Sequence, residues 1–162
     1  MPITIDNTDK KILRLLQQDS DISNADLAEQ VGLSAAPCWR RVKRLEEKGI
    51  IKRRVAIIDP DSLGLEIVVF TTVKISTQAQ HGLEDFERRV VRFDEITECY
   101  TVSGGMDYIL RVVTTDMRAY ERFLRDHLLQ LPNIAEVHSR FAVSQVKYTT
   151  ALPLDLVETK KA

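Results

Sequence analysis

A dense cluster of basic side chains lies in residues 35–54, where eight lysines and arginines are accompanied by two acidic residues. Ammonium and guanidinium groups at this density bind polyanions, and a local patch can do so even when the formal net charge of the whole chain is −1. The cluster would also suit a solvated helix face, and charge alone does not separate the two interpretations. The basic residues are Arg40, Arg41, Lys43, Arg44, Lys48, Lys52, Arg53 and Arg54.

No arrangement of residues typical of catalysis or metal binding is found in the sequence. The histidines are dispersed, none belongs to an HExxH motif, and there is no Walker loop, no GxGxxG motif after a strand and no nucleophile elbow. Asp107 has no second carboxylate beside it with which to share acid–base catalysis. Cys38 and Cys99 lack the CxxC spacing of a zinc finger. The sequence therefore predicts a protein that is not an enzyme and that uses no cofactor or metal.

Three short helices are predicted in the N-terminal third of the chain, and they would position the basic cluster. The first covers about residues 9–17. The second follows the capping residue Ser23 and ends at Gly32, which can adopt the left-handed conformation of a helix end. Ser34 caps the third, which ends at Gly49. Two helices joined by a short turn that contains glycine form the pattern of a helix-turn-helix.

The predicted third helix has an apolar face and a basic face. At about 100° per residue, Cys38, Val42 and Leu45 form the buried stripe. The opposite face has a small residue near the N-terminus of the helix, so the helix could approach a grooved surface closely. Trp39 could be a packing residue at the edge of the core or a contact to phosphate and sugar. The exposed face consists of Ala36, Arg40, Lys43 and Glu47, flanked by Trp39 and Arg44.

A basic segment follows the third helix and leads to a domain boundary. β-Prone residues flank the basic residues at 52–54, which predicts a short ribbon suited to backbone phosphates. Turn-forming residues at 59–62 place the boundary near residue 60. The expected organisation is an N-terminal domain of residues 1–60 and a C-terminal domain of residues 61–162 that includes a C-terminal tail.

The C-terminal domain alternates between strand and helix patterns in the order β-α-β-β-α-β. This order predicts a ferredoxin-like domain, and therefore an α+β fold for the whole chain. Such a sheet has one face covered by helices and one bare face. Because both faces of the first strand are substantially apolar, we expect a second copy to bury the bare face in a dimer. The predicted strands are 67–76, 96–103, 108–115 and 134–147, and the predicted helices are 82–93 and about 120–131.

The composition is that of a globular chain, since 44% of the residues are apolar and 29% are charged. No apolar run approaches the ~20 residues of a membrane-spanning helix. The N-terminal residues lack the basic leader and apolar stretch of a signal peptide. We therefore expect a cytoplasmic protein that does not associate with membranes.

Three segments of the sequence resemble the Lrp/AsnC, or feast/famine, family of bacterial and archaeal transcription factors. Residues 27–46, with the pattern L-A-x-x-V-G-L-S-x-x-P-C-W-R-R-V-x-R-L-E, are similar to the family's DNA-binding signature, which residues 49–51 and the basic segment continue. Residues 102–108 resemble the turn between the second and third strands of the family's effector domain. Residues 145–154 resemble the end of several members. Each motif is moderately specific, but together and in this order they cover nearly the whole chain.

The resemblance implies that the N-terminal domain is a winged helix-turn-helix that binds promoter DNA. The third helix would enter the major groove, with Arg40 as the best candidate for a bidentate contact to guanine. A twofold dimer would then bind half-sites about 34–36 Å apart. The residues expected near base edges are Ser34, Ala35, Ala36, Arg40 and Lys43. Those expected to hold the DNA backbone are Trp39, Arg44, Lys52, Arg53 and Arg54.

The resemblance also implies that the C-terminal domain serves effector binding and oligomerisation. In the family, dimers assemble into larger rings, often octamers, and small effectors, usually amino acids, bind between dimers at the glycine-rich turn. Backbone N–H groups beside glycines suit a carboxylate, and Asp107 suits an ammonium group. A plain hairpin turn is the alternative, which the residues by themselves favour. The effector-binding candidates are Gly104, Gly105, Met106 and Asp107, with Ser139 as a weaker one.

The leading hypothesis is a sequence-specific DNA-binding transcriptional regulator that responds to a small effector, expected to be an amino acid. The first alternative is an architectural protein that wraps DNA and has no effector. The second is a sensor or allosteric subunit whose N-terminal domain contacts protein, which would leave the basic face unexplained.

Overall fold

The computed structural model describes residues 4–76 and 82–159, and these fold into two units with separate cores. Residues 4–57 and 147–159 belong to the first unit, and the described residues of Ile58–Val146 belong to the second. None of the helices in the described ranges is both long enough and apolar enough to cross a membrane.

Three helices make up most of the first unit, at the positions that the sequence predicts. They are α1, Asn7–Gln18; α2, Asn24–Val31; and α3, Ala35–Glu47. Asp6 and Asp9 form a capping box at the start of α1, in which each side chain accepts a hydrogen bond from the other residue's N–H, at 2.8 and 3.1 Å. Asp6 is therefore the N-cap of α1.

The turn between α2 and α3 fixes the start of the third helix. Gly32 ends α2 with φ of 73°, the left-handed conformation that glycine adopts without strain. Ser34 precedes α3 as predicted, but among the described residues its side chain makes no capping hydrogen bond. The amide Nδ2 of Asn24 donates instead to the carbonyl of Ala35 at 2.9 Å. This bond joins the first residue of α2 to the first residue of α3.

One apolar core holds the three helices together. The predicted buried stripe of α3 is confirmed, because Cys38, Val42 and Leu45 are its buried residues. Burying apolar side chains stabilises the unit by about 25 cal/mol for each Å² removed from water. The buried members of the core are Ile5, Ile12, Leu13, Leu27, Ala28, Val31, Cys38, Val42 and Leu45.

The basic segment after α3 differs from the predicted ribbon. Residues 52–59, all of which the structure describes, are without strand assignment, and all of them are exposed. A ribbon needs a second strand to pair its N–H and C=O groups, and within this chain no neighbouring segment of the described residues supplies one to residues 52–59. An isolated bridge in this unit joins Ile5 to Thr159 instead.

The C-terminal tail packs against α1, whereas the sequence places it with the C-terminal domain. The side chain of Gln17 accepts a hydrogen bond from the N–H of Leu152 at 2.7 Å and donates to its carbonyl at 3.4 Å. Arg14 pairs with Asp155, and Leu154 packs on the core of the first unit. The tail follows the sheet in sequence, but these contacts hold it on the helices of the first unit.

The second unit is a four-stranded antiparallel sheet with two helices, in the predicted β-α-β-β-α-β order. The strand order in the sheet is β2-β3-β1-β4, so β1 and β3 are central. The ferredoxin-like arrangement is therefore confirmed. The elements are β1, Ile67–Ile75; α4, Gly82–Val90; β2, Ile96–Thr101; β3, Tyr108–Thr114; α5, Met117–Asp126; and β4, Ile134–Phe141.

β4 is shorter than the predicted strand of residues 134–147. Its partner β1 begins at Ile67, and the N–H of Ala142 makes the last bond of the ladder, to the carbonyl of Val68 at 2.9 Å. Beyond that point β1 has only Ile67 left, so residues 144–147 have no residue of β1 opposite them. The prediction was too long because β-prone residues continue in the sequence past Phe141, where the strand ends.

The two faces of the sheet differ in polarity. On one face, the apolar side chains of the strands pack with Phe86 and Val90 of α4 and with Tyr120 and Phe123 of α5. The bare face is more polar than β1 alone suggests, because the register places Arg111 and Arg140 on either side of Phe70. The remaining neighbours on that face are Val68, Thr72, Lys74, Glu98, Tyr100, Ile109, Val113, Glu136 and His138.

Candidate nucleic-acid interface and ligand-binding turn

The side of α3 that faces away from the core is the candidate nucleic-acid interface. Alanines at its N-terminal end leave the backbone accessible, and the larger side chains begin one turn later. Trp39 is 52% exposed, so it lies mainly at the surface rather than in the core. The residues of this face that the structure exposes are Ser34, Ala35, Ala36, Trp39, Arg40 and Lys43.

Two arginines of α3 are engaged inside the unit by the carboxylates that begin α1. Arg41 Nη1 donates to Asp6 Oδ2 at 2.6 Å and to Asp9 Oδ1 at 2.9 Å, and Arg44 Nη2 donates to Asp9 Oδ2 at 2.5 Å. Asp9 is only 1% exposed. The structure thus places Arg44, expected at the DNA backbone, in an ion pair with α1.

The charges of this cluster shift the ionisation of their partners. Burial raises the pKa of Asp6, but hydrogen bonds from the N–H of Asp9 and from Arg41 outweigh this effect, so the pKa of Asp6 lies below its ordinary value. The hydrogen bond to Asp6 raises the pKa of Arg41. Both Asp6 and Arg41 are therefore held in their charged forms.

The remaining basic residues lie at the surface beside α3. Lys52, Arg53 and Arg54 are exposed. Arg54 Nη1 donates to the carbonyl of Ser20 at 3.0 Å, which fixes the basic segment next to the end of α1. Glu46 pairs with Lys43 at 3.0 Å and with Arg54 at 3.4 Å. Both pairs are partly exposed and contribute about 0–1 kcal/mol, so they can open when a phosphate competes.

The glycine-rich turn joins β2 to β3 and is the candidate ligand site. Its ends are tied by a 2.9 Å hydrogen bond from the N–H of Val102 to the carbonyl of Asp107. Gly104 has φ of 117°, which excludes most L side chains. Apart from the chain neighbours of each glycine, no described residue has an atom within 4 Å of where a Cβ would stand on Gly104 or Gly105. The backbone of the turn is therefore open to an approaching group, beside a half-buried Met106.

Asp107 is held firmly against the end of β1. Its N–H donates to the carbonyl of Val73 at 3.0 Å, and its Oδ2 accepts a hydrogen bond from the N–H of Ile75 at 2.7 Å. The carboxylate therefore stabilises the strand end with one oxygen. Within the described residues, the other oxygen accepts no hydrogen bond, so it is open to a cationic partner.

Ser139 lies away from the turn within this chain. Its Oγ is 2.5 Å from the hydroxyl of Tyr120, which is also 2.9 Å from Oγ1 of Thr71. Ser139 pairs with Thr71 in the sheet, four residues along β1 from Ile75, or about 13 Å at 3.3 Å per residue. The structure brings the four turn residues together but does not bring Ser139 to them.

Local patterns in the sequence could not reveal two of these features. Asp6 and Asp9 match the pattern of a helix cap, and that role is real, but their pairing with α3 spans more than thirty residues. The contact of Gln17 with the tail spans 135 positions. No spacing rule connects residues so far apart, so only the folded chain shows these contacts.

Comparisons with known proteins agree with the two-unit architecture. Residues 68–152 match the family model described as the Lrp/AsnC ligand binding domain, and residues 5–52 match the model described as winged helix-turn-helix DNA-binding. The chain belongs to the Lrp/AsnC family. The resemblance found in the sequence is thereby confirmed.

Relatives match this Lrp/AsnC protein over nearly its whole length. The transcriptional regulator AzlB of Bacillus subtilis is 39% identical over 155 residues, which are 96% of this chain and 99% of AzlB. The crystal structure of an AsnC family transcriptional regulator from Agrobacterium tumefaciens has a TM-score of 0.89 at 45% identity, covering 93% of this chain and 98% of that one.

A second structure is that of the transcriptional regulator NMB0573 from Neisseria meningitidis in complex with L-Met. It has a TM-score of 0.91 at 38% identity and covers 94% of this chain and 98% of that one. The Lrp/AsnC protein described here is accordingly a DNA-binding transcriptional regulator with a ligand-binding domain. Its relatives are regulators rather than enzymes, which confirms the prediction from the missing catalytic motifs.

Proposed function

We propose that this regulator reads a specific DNA site with the exposed face of α3 and that an amino acid bound at the turn of residues 102–107 controls it. The observation that carries the proposal is the division of α3 into a buried apolar stripe and an exposed face with small residues at its N-terminal end and basic residues beyond. A helix of this shape can enter the major groove closely. Because DNA is its target, the protein would act in the cytoplasm.

The proposed DNA contacts fall into two groups with different roles. Base edges would be read by residues of the α3 face, with Arg40 as the bidentate contact to guanine. The DNA backbone would be held by side chains that flank this face, which supply affinity without sequence information. The base-edge group is Ser34, Ala35, Ala36, Arg40 and Lys43, and the backbone group is Trp39, Lys52, Arg53 and Arg54.

Selection of binding sites from a random duplex pool tests the role of Arg40. We expect Arg40→Ala to lose preference at one base pair, by about 1–3 kcal/mol of discrimination, while other positions stay selective. Lys48→Ala is the matched control, since Lys48 follows α3 outside the proposed face. If Arg40→Ala weakens binding to every duplex equally, Arg40 is a phosphate contact instead.

An amino acid fits the turn by its two charged groups. The open backbone of Gly104 and Gly105 would receive the carboxylate, and the free oxygen of Asp107 would receive the ammonium group. The L-Met complex of the related NMB0573 supports an amino acid as the ligand class. Met106 lies beside the site, and Ser139 stays a weaker candidate because its hydroxyl bonds Tyr120.

A thermal-shift screen against the common amino acids tests this site. A ligand at ~100 times its Kd stabilises a fold by about 2.7 kcal/mol, which raises Tm by several degrees. Asp107→Asn should abolish the response of the responding amino acid, because the amide removes the negative charge but can still accept the hydrogen bond from Ile75. Asp94→Asn, at an exposed aspartate after α4, should respond normally. A full response in Asp107→Asn would remove Asp107 from the site.

One observation favours the architectural alternative. Asp107 holds the N–H of Ile75, so the turn has a structural reason for its aspartate without any ligand. If no amino acid shifts Tm while DNA binding is strong, the protein acts as an architectural DNA-binding protein.

We further propose that the chain self-associates through its sheet unit. A dimer would bury the apolar residues of the bare face, and larger rings such as octamers follow the family's pattern. Sedimentation velocity of the purified protein, with and without the responding amino acid, measures the size directly.

A further inference from the structure

The carboxylate of Asp9 is buried between α1 and α3 and accepts three hydrogen bonds. Its Oδ1 accepts from Arg41 at 2.9 Å, and its Oδ2 accepts from the N–H of Asp6 at 3.1 Å as well as from Arg44 at 2.5 Å. If Arg44 were removed, each oxygen would keep one donor. Arg44→Gln therefore leaves neither oxygen of Asp9 without a donor.

The position of Arg44 on α3 indicates where its side chain would lie without the ion pair to Asp9. At about 100° per residue, Arg44 lies only about 40° around the helix from Arg40 and one turn further along. Its side chain is 43% exposed, compared with 29% for Arg41. An unrestrained arginine at this place would point towards the same surface as Arg40 and Lys43.

We infer that Asp9 is a specificity-determining positioning residue that withholds Arg44 from DNA. The inference rests on the proposed role of α3. Each cation that contacts phosphate adds affinity for every DNA sequence alike. Pairing Arg44 with Asp9 removes one such contact from the DNA-reading helix, so a larger share of the binding free energy depends on base contacts. The pair also fixes the rotation of α3 relative to α1, which keeps Arg40 at the centre of the exposed face.

The pairing can resist the competition of phosphate for two reasons. Asp9 is 1% exposed, so water and salt screen this carboxylate far less than a surface one. Moving Arg44 to a phosphate would also leave Asp9 with weaker compensation of its buried charge, which is costly. The surface pairs of Glu46 with Lys43 and Arg54 have neither protection.

The test is the salt dependence of binding by the full-length protein to a random-sequence duplex of 40 base pairs. The slope of log K against log salt concentration falls in magnitude by about 0.9 for each phosphate that the protein no longer neutralises. We expect the slope to fall by about 0.9 in Arg53→Gln, which removes a proposed backbone contact, and to stay unchanged in Arg44→Gln. In Asp9→Asn the magnitude of the slope should rise by up to about 0.9, because Arg44 is released to contact phosphate. The double variant, Asp9→Asn with Arg44→Gln, should return to the original slope.

The same variants should differ in specificity. A rise of about 0.9 in slope corresponds to about a 3-fold larger decrease in affinity between 50 and 200 mM salt. At low salt Asp9→Asn should bind the random duplex several-fold more tightly, so the ratio of affinities for a selected and a random duplex should fall. A purely structural role for Asp9 would weaken both affinities together and would leave the slope unchanged.

The outcomes that would overturn the inference can be told apart. If Arg44→Gln lowers the slope as Arg53→Gln does, Arg44 already contacts DNA and Asp9 does not withhold it, and this comparison holds even if Asp9→Asn fails to fold. If folded Asp9→Asn, checked by circular dichroism, keeps the original slope, the inference is also wrong. If neither Arg53→Gln nor Arg40→Gln changes DNA binding, the proposed interface itself is wrong, and the inference falls with it.

Discussion

At the scale of single residues, identical side chains on one helix have different surroundings and therefore different roles. Arg40 and Arg44 lie one turn apart on α3, but Arg44 donates to the buried Asp9 at 2.5 Å while Arg40 is exposed. Position on the helical wheel predicts which arginines can reach a surface. It does not predict which of them an acidic residue of another helix will bind.

Tyr120 provides a second case in which one polar atom organises its surroundings. Its hydroxyl joins Thr71, which is fully buried on β1, to Ser139 on β4. We predict that Tyr120→Phe lowers the free energy of unfolding by about 1–3 kcal/mol, because Thr71 is left with a buried hydroxyl that lacks its partner. Urea denaturation followed by circular dichroism measures this change.

The matched control for that prediction is Tyr100→Phe. Tyr100 is exposed on β2 and bonds Glu98 at 2.9 Å, so its hydroxyl can be replaced by water and the expected change is below about 0.5 kcal/mol. Equal effects of the two substitutions would show that the buried network contributes nothing beyond a surface hydrogen bond.

At the scale of elements, the helices and strands were predictable because each has a local signal. The buried stripe of α3 follows from a 3.6-residue period, and Gly32 marks the end of α2. β1 follows from a run rich in β-branched residues, and β2 and β3 follow from two β-prone runs on either side of the glycine-rich turn. The exposed face of α3 follows from the same period, whereas the four candidate residues of the turn came from the resemblance to the Lrp/AsnC family and not from a local signal.

The elements that the sequence did not predict depend on partners distant in the chain. β4 ends at Phe141, where β1 has only two residues left to pair, although β-prone residues continue along the chain. Residues 52–59 form no strand, and no described strand of this chain pairs with them. Ser139 is separated from the turn by the register between β1 and β4, which no local pattern encodes.

The tail gives a prediction at this scale, because one side chain of α1 carries two of its hydrogen bonds. Gln17→Ala removes both bonds to the backbone of Leu152. We expect the free energy of unfolding of the first unit to fall by about 1 kcal/mol, since each such bond contributes about 0.5–1.5 kcal/mol and both are partly exposed. Hydrogen exchange at the N–H of Leu152 should also speed up.

Gln18→Ala is the control for the tail contact. Gln18 is the next residue of α1, is exposed, and has the same side chain. Its substitution is expected to change the free energy of unfolding by less than about 0.5 kcal/mol. If both variants leave hydrogen exchange of the tail unchanged, Gln17 does not hold it.

At the scale of the whole molecule, the chain connects its two units twice. It leaves the first unit after Ile57 and returns to it at Lys147, directly after the segment that follows β4. An effector bound to the sheet unit can change DNA binding only if it binds two arrangements of the molecule with different affinities. Both connections are therefore covalent routes by which a change of arrangement in the sheet unit can reach α3.

Self-association gives the last prediction, because the bare face of the sheet exposes Phe70 between two arginines. Phe70 is 40% exposed and pairs with Arg111 of β3 and Arg140 of β4. In a dimer through this face, Phe70→Arg would bury a third guanidinium group between Arg111 and Arg140, and a buried charge without a partner costs several kcal/mol. We therefore expect the dimer Kd, measured by sedimentation equilibrium, to rise at least about tenfold, which corresponds to about 1.4 kcal/mol.

The control substitution, Val91→Arg, adds the same charge at an exposed apolar residue just after α4, away from the bare face. It should leave the Kd of the dimer unchanged, so any general effect of added positive charge is accounted for. Phe70 lies on the side of β1 opposite the buried core, so Phe70→Arg should keep the circular dichroism spectrum of the wild type. An unchanged Kd in this folded variant would mean that the bare face is not the dimer interface, and that the arginines beside Phe70 serve to keep this face in water.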